Sequence, residues 1–403
     1  MRRKSFGVIA AAGLLAVASV APVSAQGRTV EIPAGEPITI ATYGVLSGAD
    51  ASLGQDWLDA VYLHVDDIGG TLLGHPIEII AEDGQCLVEG GAQAAQKIAS
   101  NPTVVGVIGS ACSDETVGGV PTLTEAGLTA ISPSATRPAL TEPDRPAEYA
   151  GFLRTAHSDA IQGVVVADFI KNTLGLDTTA TIHDGSAYAE ALVAVFVDAY
   201  TELGGTVTKQ EAVGKDQTDM NPVLTSIAAD GPQAIYYPIF VASGGLITDQ
   251  IGDVAGLEDV VRVGSDGLFT PDFATAAGPD VEGVYLSAPN FAAFEGDYAG
   301  FLERYEDFVG NAPPSAFHAH GYDAFGMLLA AISDVAVEGD DGSLSVDLQA
   351  LRERIYATDG YAGITGTLSC TASGDCGPPV IAVYQLDAAV AGGDWPPTEI
   401  AFP

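Results

Sequence analysis

Short apolar, β-rich runs alternate with stretches whose apolar positions recur every three or four residues, and the alternation holds along almost the whole chain. Ile38–Tyr43 reads as a strand and Leu53–Ile68 as a helix ending at Gly69-Gly70. Pro76–Ala81 reads as a strand, Gly90–Ser100 as a helix and Val104–Ile108 as a strand. Further strands are expected at Thr179–His183, Ala234–Ile239, Val260–Gly264 and Val281–Ser287. In the segment Ala187–Leu203, Leu192, Val195, Phe196, Ala199 and Tyr200 share one face of a helix. Strand–helix alternation of this kind predicts an α/β fold with parallel sheets covered by helices on both faces. Ligands of such sheets sit at the carboxyl ends of the strands.

The first residues change the picture of where the chain works. Arg2, Arg3 and Lys4 precede an apolar run from Val8 to Val20, and Val23-Ser24-Ala25 supplies the small residues a signal peptidase requires. The run is too short to span a bilayer, so residues 1–25 are expected to be a cleaved signal peptide. The first cysteine is Cys86, so none sits at the cleavage point to take a lipid. A free protein in a Gram-negative periplasm is expected, with no direct membrane insertion.

Cleavage leaves 378 of the 403 residues, enough for two domains. It removes three basic residues and no acidic ones, taking the formal charge from −38 to −41. A chain this acidic is a poor partner for nucleic acid. Its carboxylates are spread evenly, which reads as a solvated coat. Four cysteines in an oxidising compartment predict two disulfides, and the count alone leaves three pairings open. Near the C-terminus, Gly366–Cys370, a turn over Thr371–Asp375, then Cys376 and Val380–Leu386 read as a hairpin clipped by Cys370–Cys376. Cys86 and Cys112 each follow a strand. If those strands are neighbours, a second disulfide braces the ligand edge.

Phosphate-loop, dinucleotide-binding, zincin and nucleophile-elbow motifs are absent from the sequence. His318-Ala-His320 is a poor metal pair, because helical residues two apart face different ways. His183-Asp184 reads as a hydrogen-bonding loop. The expectation is a protein that is not an enzyme and needs no cofactor or metal.

Several strings along the chain form one ordered pattern. They are Gly44-Val-Leu-Ser-Gly48, Asp66-Asp67-Ile68-Gly-Gly70, Glu82-Asp83 with Cys86, and Val107-Ile-Gly-Ser-Ala-Cys-Ser113. The most specific is Ile131-Ser-Pro-Ser-Ala-Thr-Arg-Pro138. Arg154-Thr155, Gln162-Gly163, Ile182-His-Asp184 with Tyr188, Ile235-Tyr-Tyr237, Gly264-Ser-Asp-Gly267 and Tyr322-Asp-Ala324 follow in order. Together these strings resemble the branched-chain-amino-acid type of periplasmic binding protein. The resemblance implies a type I fold with a three-segment hinge: residues 36–155 with 287–364 as one lobe, and 156–286 with 365–403 as the other. It implies a monomer that carries a small amino acid, neutral and branched-chain-like, to the membrane permease of an ABC importer. It also implies a site: the ligand carboxylate on Ser113, Ser134 (mainly its backbone) and Thr136, and the ammonium on Asp266 with Tyr188 nearby. The pairing Cys86–Cys112 follows from the same resemblance.

Two positions depart from the family pattern. Leu53 stands where the first lobe offers an aromatic, and Phe240 where a tyrosine follows the Tyr-Tyr strand. Both positions touch the ligand's side chain or close the cleft. The alternatives are therefore a sensor domain, or a binding protein for another small molecule such as an amide or an aromatic acid.

Overall fold

The computed structural model describes residues 27–403, so the signal-peptide reading lies outside the described residues. Two sheets organise the chain. The first runs Thr71–Leu72, His75–Asp83, Ile38–Gly44, Val104–Gly109, Ala130–Ser132, Phe152–Arg154 in spatial order. All its pairings from His75–Asp83 onward are parallel. Every residue of the central strand Ile38–Gly44 is buried, as expected for a strand with helices on both faces. Helices Ser52–Asp67 and His318–Val335 pack on each other, as do Val88–Ser100 and Ser113–Glu125.

The second sheet runs Ile400–Phe402, Ile381–Gln385, Tyr285–Pro289, Val261–Gly264, Ala234–Tyr236, Thr178–His183, Thr206–Ala212. Its five-strand interior is parallel, and its two C-terminal strands are antiparallel. The helical face expected within Ala187–Leu203 is real: Leu192, Phe196, Ala199 and Tyr200 are buried on helix Ala187–Glu202, and Val195 is half-buried.

Two expectations change. The strand Tyr285–Pro289 pairs along its whole length with Ile381–Gln385, so an expected boundary at residues 286/287 would cut a paired strand. The C-terminal hairpin forms only around its turn, where Ser369 N donates to Cys376 O at 3.0 Å and Thr371 N to Asp375 O at 2.7 Å, and its longer arms go elsewhere. Thr367–Leu368 pairs with Tyr361–Ala362, while Ile381–Gln385 joins the second sheet. Between them, Gly374–Cys376 adds to the free edge of Phe152–Arg154: Arg154 N donates to Gly374 O at 2.9 Å and Cys376 N to Arg154 O at 2.9 Å. An unpaired strand edge offered hydrogen bonds that the local hairpin could not match.

Both disulfides are present, Cys86–Cys112 and Cys370–Cys376. The loops they close differ, with separations of 26 and 6 residues, which on loop entropy gives about 3.5 and about 2 kcal/mol. Replacing Cys86 and Cys112 by serine should therefore lower the stability measured in urea more than replacing Cys370 and Cys376. The reverse order would show that loop closure does not govern their contributions.

Candidate functional site

The carboxyl ends of both sheets face each other across a cleft, and the loops that leave them build the site. In the first lobe, Gly54 lets the helix Ser52–Asp67 begin directly on the preceding loop, since a Cβ there would stand 1.9 Å from Val45 O. That approach brings Leu53 into the cleft. Cys86 and Gln85 adopt left-handed φ values of 54° and 58°, a strained choice for side-chain-bearing residues. The strain is held by Glu115, whose carboxylate accepts from Cys86 N (2.9 Å), Ala111 N (3.1 Å) and Cys112 N (3.0 Å). Burial nevertheless pushes the Glu115 carboxyl up to about 7. Disulfide and carboxylate together fix the turn that delivers Ser113 as the first residue of helix Ser113–Glu125. The opening turn of a helix leaves N–H groups unpaired and favours an anion.

Ser134 and Thr136 come from the loop after Ala130–Ser132. Ser134 Oγ donates to Ala111 O at 2.9 Å, and its N–H donates to Ser132 Oγ at 3.2 Å. The backbone N–H expected to meet a ligand carboxylate is thus already engaged. The Ser134 carbonyl accepts no hydrogen bond from any described residue.

In the second lobe, Asp266 follows strand Val261–Gly264. Gln162 Nε2 donates to its Oδ1 at 2.7 Å and Tyr188 OH to the same atom at 2.8 Å. Oδ2 has no partner among the described residues. Ser265 and Tyr188 hydroxyls lie 2.5 Å apart. Phe240 precedes helix Val241–Ile251, and its ring centroid is 5.2 Å from that of Tyr188.

All seven residues singled out from the sequence (Leu53, Ser113, Ser134, Thr136, Tyr188, Phe240, Asp266) line one cavity between the two sheets. None is more than 9% exposed. Phe317 completes the apolar wall and was missed, because from sequence it is one apolar residue among many before a helix. Buried Asp56 places it, accepting from Phe317 N at 2.8 Å and Ser315 N at 3.0 Å. His318 is spent on the same carboxylate at 3.2 Å and on Tyr298 OH at 2.7 Å.

The lobes also meet at the rim of the cleft. Val241 N donates to Asp50 Oδ1 at 3.1 Å and Ala187 N to Asp114 Oδ2 at 3.0 Å. Each carboxylate thus caps the first residue of a helix in the opposite lobe, where the helix dipole favours it. Ser52 Oγ donates to Asp272 across the same gap. Burial, more than the neighbouring Asp184 and Asp272, pushes Asp50 up to about 6.

Behind the cavity lies a second buried group that the sequence did not signal. Asp159, the first residue of helix Asp159–Asp168, is fully buried, and its N–H donates to Thr136 O at 3.0 Å. The Thr136 side chain is close, yet neither Asp159 oxygen has a hydrogen bond of good geometry.

The sequence model of the periplasmic binding protein family matches residues 37–390. The chain belongs to that family. The binding protein is 26% identical over 376 residues to the leucine-, isoleucine-, valine-, threonine- and alanine-binding protein of Pseudomonas aeruginosa, covering 92% of this chain and 93% of that one. It is 27% identical over 300 residues to an amino acid binding protein of the same organism, covering 73% and 78%. Its fold is that of a leucine-binding protein from Thermotoga maritima (TM-score 0.79, 23% identity, 91% and 99% covered). A Rhodopseudomonas palustris solute-binding protein in complex with benzoate shares it too (TM-score 0.75, 21% identity, 91% and 97% covered). The binding protein is thus of the branched-chain-amino-acid type, with a type I α/β fold, in a family of binding proteins rather than enzymes.

Proposed function

We propose that this binding protein captures a neutral amino acid as its zwitterion in the cleft, in the periplasm, and delivers it as a monomer to the membrane permease of an ABC importer. One observation carries the reading: the cavity lining contains a single charged residue, Asp266, and no lysine, arginine or histidine. A buried carboxylate selects a cation, and an ammonium paired with it makes strong charge-assisted hydrogen bonds. The ligand carboxylate would lie over the helix start at Ser113 and the hydroxyls of Ser113 and Thr136. Leu53, Ala111, Phe240 and Phe317 leave an uncharged surface for the side chain. An aromatic acid would bring a second anion to Asp266 with no cation to meet it, which disfavours that alternative.

The test compares L-leucine with 4-methylpentanoate, which lacks the ammonium, and with 3-methylbutylamine, which lacks the carboxylate, by equilibrium dialysis on refolded protein. Binding of L-leucine alone supports the zwitterion. Equal binding of the acid would remove Asp266 from the site. Phe317→Ala should weaken binding of apolar amino acids about 10- to 100-fold, because contact with one aromatic contributes about 1.5–3 kcal/mol. An unchanged dissociation constant would place the side chain elsewhere.

A further inference from the structure

Asp159 has no role in the reading given so far. A carboxylate oxygen of Asp159, one of Asp266 and a ring nitrogen of His157 lie within 4.8 Å of one another, all buried. Asp266 has its donors, Gln162 and Tyr188. Asp159 has none, and His157 Nδ1 has no partner either. His157 Nε2 lies 2.7 Å from Gln162 Oε1, and the Gln162 amide nitrogen already donates to Asp266 and Ser287. The imidazole proton therefore sits on Nε2, leaving Nδ1 a bare acceptor.

Every charged or titratable group around Asp159 bears on its state. Arg154 is the nearest guanidinium, and it is committed to Asp375, to Thr141 and to two carbonyls. His157 is held neutral by burial. Tyr188 and Tyr236 are held neutral by burial, and the charges of Asp159 and Asp266 push the same way. Two buried carboxylates this close, with no uncommitted cation beside them among the described residues, cannot both ionise readily. Burial first, and the Asp266 charge second, raise Asp159 well above the usual carboxylate range.

We propose that Asp159 carries a proton while the cleft is empty and gives it up when the ligand's ammonium docks, so that capture of one amino acid releases one proton. The inference rests on the amino-acid reading above. An ammonium on Asp266 Oδ2 supplies the missing cation, and its charge acts on Asp159, whose carboxyl lies behind the cavity within 4.8 Å of that of Asp266. Asp159–COOH becomes carboxylate against the ammonium, and the proton passes to the buffer. Asp159 thereby demands a protonated amine rather than any small polar molecule. A divalent cation is the weaker occupant, because two donor groups already point at Asp266 Oδ1.

The sign of the linkage is defined. A group whose pKa falls on binding makes binding tighten as pH rises, until it is ionised in the empty cleft as well. The dissociation constant should fall tenfold per pH unit through that range and then level off. Asp50 acts oppositely, since its value of about 6 in the closed cleft means closure takes up protons at acid pH. Measurements at pH 7 and above largely avoid it.

The experiment is calorimetric titration of the refolded protein with L-leucine, and in parallel L-alanine, at pH 7.5 in phosphate, HEPES and Tris. Their ionisation enthalpies differ, so the slope of observed heat against them counts protons. A slope near one proton released, unchanged by EDTA and near zero in Asp159→Asn, is the expected result. No slope in the wild type, an equal slope in the variant, or a slope lost with EDTA would each overturn the proposal. If Asp159→Asn does not fold, the wild-type slope and the pH dependence of its dissociation constant decide. Binding without proton release leaves the amino-acid reading standing. Absence of binding by any amino acid removes both.

Discussion

Asp266→Ala, refolded free of host ligand, should lose amino-acid binding by about 100- to 5,000-fold while unfolding at the same temperature as the wild type or slightly higher. The loss follows from leaving the ligand's ammonium buried without its anion, a truncation that costs about 3–5 kcal/mol. The retained stability follows from the same geometry, since Asp266 is a buried carboxylate within 4.8 Å of Asp159 and its removal takes a desolvated charge out of the cleft wall. Gln162 keeps the Ser287 hydroxyl at 2.9 Å as an alternative acceptor. Isothermal titration beside thermal unfolding reads both halves. A variant that binds with wild-type affinity would take the ammonium away from Asp266. A variant that binds weakly because it is unfolded would show the carboxylate to be structural.

Arg154→Met should be the costliest single change to the fold outside the apolar core, at about 3–5 kcal/mol in urea unfolding. The guanidinium is fully buried at the last strand of the first sheet. Its Nε pairs with Asp375 at 2.6 Å, and its terminal nitrogens reach Ala135 O at 3.2 Å, Arg137 O at 2.9 Å and Thr141 Oγ1 at 2.5 Å. One side chain thus ties the loop carrying Ser134 and Thr136 to the segment Gly374–Cys376 beside the third crossing between the lobes. Removal leaves three acceptors without a donor and returns the partly exposed Asp375 to solvent, so ligand affinity should fall along with stability. Thr141→Val, which removes one partner, should cost only about 1 kcal/mol. Similar small losses in both variants would show that solvent replaces the guanidinium and that the tie is dispensable.

Much of this architecture is legible in the sequence, for a local reason. Strand ends such as Gly44–Gly48, Val107–Ser113 and Gly264–Gly267 carry their turn chemistry with them, and parallel sheets put every such end on one edge. Residues named at those ends therefore converge on one cavity. What escapes is set by distant pairing. Phe317 reaches the cavity because Asp56, far away in sequence, holds its backbone. Asp159 meets Asp266 only after the first crossing between lobes has been laid down. Beyond the turn Thr371–Asp375, the C-terminal segments pair with Tyr285–Pro289 and with the Phe152–Arg154 edge, a choice no local pattern encodes.

The most direct test of the central claim is thermal unfolding of the oxidised, denatured-and-refolded protein against a panel of amino acids, amides and aromatic acids, in low and high salt. A neutral amino acid at a hundred times its dissociation constant should add about 2.7 kcal/mol of stability, and benzoate should add none. Stabilisation by an aromatic acid or an amide, with no response to any amino acid, would contradict the account.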